Sequence, residues 1–122
     1  MTFGDHRDLI FWRKAIEIAR ECYQITESFP RHEQYGLTNQ IRRAAISVSA
    51  NIAEGKAYGN SRSLLHFLQI AIGSLAELDS HCEVALQLGY IKESDCRRPQ
   101  TSFDEVSRML IAFRHKISTN LI

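Results

Sequence analysis

Apolar side chains recur every three or four positions along nearly the whole chain, the period of a helix face rather than a strand. In the first segment Leu9, Trp12, Ile16, Ala19, Tyr23 and Thr26 share one face. Phe29-Pro30 closes it, because the residue before proline is pushed out of helical geometry. The second segment repeats the pattern at Leu37, Ile41, Ala44, Val48 and Ile52, with Gly55 and Gly59 as stop signals. The third carries Leu64, Leu68, Ala71, Leu75, Leu78, Cys82 and Ala85 ahead of Gly89, and Asn60 or Ser61 is placed to cap it. The fourth carries Phe103, Val106, Leu110, Phe113 and Ile117, with Thr101 or Ser102 after Pro99 as a candidate cap. No segment alternates apolar and polar residues as a half-buried strand does. The expectation is an all-α chain, one domain over 1–122, with helices over about 8–28, 33–57, 61–88 and 94–119. Short connections between them predict an antiparallel up-down four-helix bundle. Trp12, Tyr23, Phe29, Leu37, Phe67, Leu68, Leu75, Phe103 and Phe113 are the expected core or interface residues. A buried Phe67 cut back to Ala should cost ~3–5 kcal/mol.

Composition narrows this picture without changing it. At 122 residues and 14.0 kDa, 44% hydrophobic and 24% charged, the chain suits one globular domain and not a disordered tail. Fifteen Lys and Arg against 14 Asp and Glu leave +1, so no global field draws it to nucleic acid or membrane. The charge is uneven along the chain. Residues 31–62 hold five Lys and Arg against two acids, and Ser63 to Ile91 holds Glu77, Asp79 and Glu83 with no Lys or Arg. The third helix also carries Leu65, Phe67, Ile70, Ile72, Ala76 and Leu86 off its main stripe. That surplus suggests a contact with another subunit, or cover from the termini and the 91–102 connection. The opening residues Met1 to Asp8 lack the apolar stretch of a secretory leader. No stretch reaches the ~20 apolar residues of a membrane span. Cys22, Cys82 and Cys96 form no C-x-x-C pair and read as reduced thiols, so a cytoplasmic location is expected.

The motifs are more specific than the composition. Leu9 to Ala15 reads LIFWRKA, Phe29-Pro30 leads to Tyr35 to Gly55 ending in SANIAEG, and Phe67 to Leu78 reads FLQIAIGSLAEL. At this separation they closely resemble the bacterial four-helix-bundle family of 23S ribosomal RNA intervening-sequence proteins. That family is related to the accessory variability determinant of diversity-generating retroelements. The resemblance covers nearly the whole chain. It implies a ring-shaped homopentamer of antiparallel bundles, no known catalytic centre and a poorly defined role. For the retroelement branch it implies a basic surface that engages RNA and a reverse transcriptase. Many members carry Arg or Lys where this chain has Tyr58 and Gly59, and often further basic residues where His66 and Ile72 stand. Arg42, Arg43, Lys56 and Arg62 are the remaining candidate nucleic-acid contacts.

The same segment can be read from its residues. Gln40, Arg43, Ser47, Asn51 and Glu54 recur at three, four, four and three, a polar stripe beside the apolar one. Gly73 costs a helix roughly 1 kcal/mol relative to Ala, which suggests close approach of another helix there. The stripe should then meet Ser74 and Glu77 in an inter-helix polar network or interface, for instance Arg43 with Glu77 or Glu54 and Asn51 with Ser74. Catalytic motifs are scarce. Gly55-Lys56 lacks the flanking residues and preceding strand of a phosphate loop. Glu77 with His81, and Asp79 with Glu83, lack the partner helices of a di-metal bundle, so neither metal nor cofactor is expected. Arg108 and His115, two turns apart beside Arg114 and Lys116, resemble the Arg/His spacing of small all-helical HEPN-type ribonucleases. The expectation is a non-enzymatic homo-oligomeric scaffold that meets RNA, DNA or a nucleic-acid-processing protein. The alternatives are a protein-interaction scaffold without nucleic acid, or that ribonuclease.

Overall fold

In the computed structural model, which describes residues 6–120, four α-helices follow one another: α1 (Ile10–Thr26), α2 (Leu37–Ala57), α3 (Ser61–Gln87) and α4 (Glu93–Thr119). Single 3-10 turns at His6–Asp8 and Arg31–Glu33 are the other regular elements, and no strand occurs among the described residues. The reading of Met1 to Asp5 as no secretory leader lies outside those residues. Each helix packs on two neighbours, α2 most extensively on α3. The result is a four-helix bundle whose core runs between the four inward faces, through Ile18, Ile41, Val48, Ile52, Leu68, Leu75, Leu78, Val106 and Leu110.

The helix ends follow from local chemistry. α2 begins at Leu37 and not near residue 33, because Arg31–Glu33 winds as a 3-10 turn and Glu33 reaches forward as a cap. Its Oε1 accepts the Leu37 N–H at 3.0 Å. Asn60, not Ser61, caps α3: its side chain accepts the Ser63 N–H at 2.9 Å. α3 closes in a Schellman arrangement around Gly89 at φ +78°, with Gly89 N–H donating to Leu86 and Tyr90 N–H to Ala85. Gly59 at φ +71° ends α2, whereas Gly55 is buried within the helix and is no stop. α4 starts at Glu93 and runs through Pro99, so Thr101 and Ser102 are not caps. Pro99, the seventh residue of α4, leaves the Asp95 carbonyl without its helical N–H, and Glu93 and Asp95 set negative charge on the positive helix end. Thr101 instead donates to the Arg97 carbonyl.

The stripes of α2, α3 and α4 face the core as their spacing predicts, but α1 is turned. Its buried residues are Phe11, Ala15, Ile18, Cys22 and Thr26, while Ile16 and Tyr23 are 43% and 39% exposed. Both sets have helical spacing. The buried one carries the small residues Ala15 and Cys22, which let neighbouring helices approach, and Tyr23 lies outside as a platform for Arg42. Phe67 is only half-buried, its ring stacked on Tyr58 at 5.3 Å, so its truncation falls below the range for a core phenylalanine. Ile72 and Leu86 of the surplus on α3 pack on the core, leaving Ile70 and Ala76 outside.

Candidate interaction surface on α2 and α3

The seam between α2 and α3 is closed from within by small residues. A Cβ on Gly55 would lie 2.9 Å from Phe67 Cβ and 3.3 Å from Leu64 Cδ1, so glycine is what allows this crossing. Nearer the middle, Ser74 Oγ donates to Ser47 Oγ at 2.8 Å. Asn51 Nδ2 donates to the same oxygen at 2.9 Å and to the Ser47 carbonyl at 2.8 Å. Asn51 and Ser74 are therefore joined through Ser47, not to each other. The string is short enough that every polar atom finds a partner without a buried charge.

The charged ends of the polar stripe do not enter this network. Gln40, Arg43 and Glu54 point to solvent, and Glu77 pairs with His81 at 3.2 Å, four residues along its own helix. Arg43 forms no ion pair with Glu77 or Glu54 among the described residues. A long exposed pair there would contribute little, so nothing draws the two together.

The four basic candidates likewise do not converge. Arg42 and Arg43 are adjacent, hence about 100° apart around the helix. Arg42 turns to α1, where its Nε donates to Thr26 Oγ1 at 2.8 Å and its guanidinium sits 4.5 Å over the Tyr23 ring. Arg43 points outward, Lys56 is half-buried, and Arg62 is exposed in the first turn of α3.

Outside the seam, Ile46 of α2 and Ile70 and Val84 of α3, with Leu88 just beyond the end of α3, are between 39% and 54% exposed. Gly73, one turn from Ile70, has no neighbouring atom within 4 Å of where its Cβ would be. The close approach expected at Gly73 is therefore not made by any helix of this chain; Gly55 is the position that has it. This bare spot and the exposed Ile70 one turn away make a shallow patch that another helix can meet.

Three further features bear on chemistry. Cys22, Cys82 and Cys96 are free and buried, and burial pushes the Cys82 thiol up to about 12 and the other two also upward. Such thiols are not nucleophiles at neutral pH. Glu83 accepts from Arg97 and Gln100, and these bonds, Gln100's first, hold its carboxyl below the usual range. Arg108 is paired with Asp104 at 3.0 Å and His115 is exposed. No group of three or more metal-binding side chains occurs among the described residues.

Two arrangements escaped the sequence reading. Tyr90 Oη donates to Glu33 Oε2 at 2.8 Å, tying the α1–α2 loop to the α3–α4 turn. A cleft of about 630 Å³ opens between the second half of α1 and the start of α4, lined by residues that include Arg20, Lys92 and Arg98. Neither has a local motif; both join residues far apart in sequence. No helix among the described residues is long and apolar enough to cross a membrane.

The sequence profile of the family described as 23S rRNA-intervening sequence protein matches residues 7–112. The bundle is similar to the crystal structure of a protein of unknown function from the S23 ribosomal protein family of Bacteroides thetaiotaomicron. That likeness has a TM-score of 0.77 at 20% identity, over 86% of this chain and 98% of the other. No curated protein matches the chain.

Proposed function

We infer that this chain, which belongs to the 23S rRNA-intervening sequence protein family, is a non-enzymatic scaffold built from several copies of the bundle. The copies associate through the outer face of α2 and α3 in the cytoplasm, as a ring of five by resemblance to the family. One observation carries this reading: Ile70 stands exposed one turn from Gly73, whose missing side chain serves no contact within the chain, and Ile46, Val84 and Leu88 are exposed as well. A helix interior keeps a glycine at a cost of about 1 kcal/mol, and a neighbouring subunit pressed against that spot gives the reason. The polar string at Ser47, Asn51 and Ser74 then fixes the angle between α2 and α3, and with it the shape of the shared face.

The assembled surface presents Arg43 and Arg62 in several copies, which favours RNA as the partner. Arg42 has a bundle-holding role in place of a phosphate contact. Salt-sensitive retention of RNA by the assembled protein, reduced in an Arg43→Gln/Arg62→Gln variant, is the expected result. Assembly without salt-sensitive RNA retention contradicts the RNA reading. It points to a protein partner, such as a reverse transcriptase. RNA incubated with the protein or with His115→Ala is expected to stay intact; cleavage lost in that variant would assign the ribonuclease alternative.

A further inference from the structure

Some surface charges of this bundle are paired: Lys14 with Glu105, Arg97 with Glu83, Arg108 with Asp104. Those that gather at the cleft between α1 and α4 are not. Arg20, Lys92 and Arg98 line it together with Glu21 and Asp95, and none of the five side chains has an ion pair among the described residues. Beneath them the wall is apolar, with Ile25, Tyr90 and Ile91 half-buried and Pro99 buried. Pro99 also has no N–H to return to the Asp95 carbonyl four residues back, so the backbone offers a further acceptor at that wall.

Three cations around one concavity suit a group with two negative charges better than a single carboxylate. The two acids in the same space repel a bare or extended polyanion and select a ligand that also carries hydrogen-bond donors. A volume of about 630 Å³ exceeds what an inorganic ion needs and lies in the range of small-molecule sites. We propose that this cleft binds a small organic phosphate of nucleotide size. Arg20, Lys92 and Arg98 hold the phosphate, Ile25, Tyr90 and Pro99 support the apolar body, and Glu21 and Asp95 accept from its hydroxyl or amino groups. The site lies apart from the α2–α3 face and stands whether or not copies assemble there.

Calorimetric titration of the full chain with each of the four nucleoside 5′-monophosphates, with adenosine and with inorganic phosphate tests this. At least one nucleotide should bind about tenfold or more tightly than either fragment. Arg98→Gln and Arg20→Gln, both exposed and unpaired, should each weaken that binding about tenfold with unchanged helix content. Lys116→Gln, exposed in the last turn of α4 and far along that helix from the cleft, should change it less than twofold. The proposal is overturned if no nucleotide binds, if inorganic phosphate binds as tightly, or if Lys116→Gln weakens binding as much as Arg98→Gln.

Discussion

Gly55 and Gly73 both interrupt helix interiors, and their surroundings assign them opposite effects. At Gly55 an added methyl group meets Phe67 Cβ at 2.9 Å, with Leu64 close behind. Overpacking costs typically ~1–3 kcal/mol, against a gain of about 1 kcal/mol from helix propensity. Gly55→Ala should therefore lower stability in urea denaturation, and an unchanged midpoint would show that α2 and α3 can separate freely there. Gly73→Ala meets no atom of its own chain and should make each subunit more stable by about 1 kcal/mol. Glu33 makes a pH-dependent contribution. The Leu37 N–H, and secondly the Tyr90 hydroxyl, hold its carboxyl below its ordinary 4.5. A carboxyl lowered on folding stabilises the fold above its unfolded pKa, and that contribution is lost as pH falls through the lowered folded value. Melting temperature followed from about pH 6 to 3 should fall less steeply in Glu33→Gln than in the parent. The Tyr90 hydroxyl, raised chiefly by its bond to Glu33, gives a contribution lost on the alkaline side, above 10.

Among the elements, α1 separates what periodicity determines from what it leaves open. Its length and stop were legible, since Phe29-Pro30 breaks the helix and α1 ends at Thr26. Its rotation was not, because two adjacent stripes satisfy the same spacing and only contact with α2 and α4 chooses between them. Ile18 against Ile16 tests the choice. Ile18→Ala removes a side chain 1% exposed and should cost ~2–5 kcal/mol, whereas Ile16→Ala should stay within about 0.5 kcal/mol. Equal losses in chemical denaturation would reverse the assignment. The stripes of α2 and α3 were readable because the residues at their three- and four-residue spacing, Ile41 to Ile52 and Leu68 to Ala85, are the ones the bundle buries. The start of α4 was placed within a residue of Glu93, but its cap was sought at Thr101 or Ser102 because Pro99 looks like a boundary, whereas the helix runs through it. The polar stripe on α2 was legible as a stripe, but its partners were not. Ser47, a short side chain with both donor and acceptor capacity, joins Asn51 to Ser74, while the charged residues of the same pattern face water.

At the scale of the whole molecule, the absence of Lys and Arg between Ser63 and Ile91 has a clear consequence. The outer face of α3 is left without long cationic side chains to cover Ile70 and Val84. A lone bundle keeps that face in water; an assembly removes it. Gly73 links the scales, since the substitution that stabilises one subunit should hinder the meeting of two. Light scattering on dilute protein, with mass measured directly, is the most direct measurement. The assembly account predicts a discrete particle at a multiple of 14.0 kDa, shifted to the single-chain mass by Ile70→Glu or Gly73→Glu. A stable, well-behaved 14.0 kDa particle from the unaltered chain would contradict it.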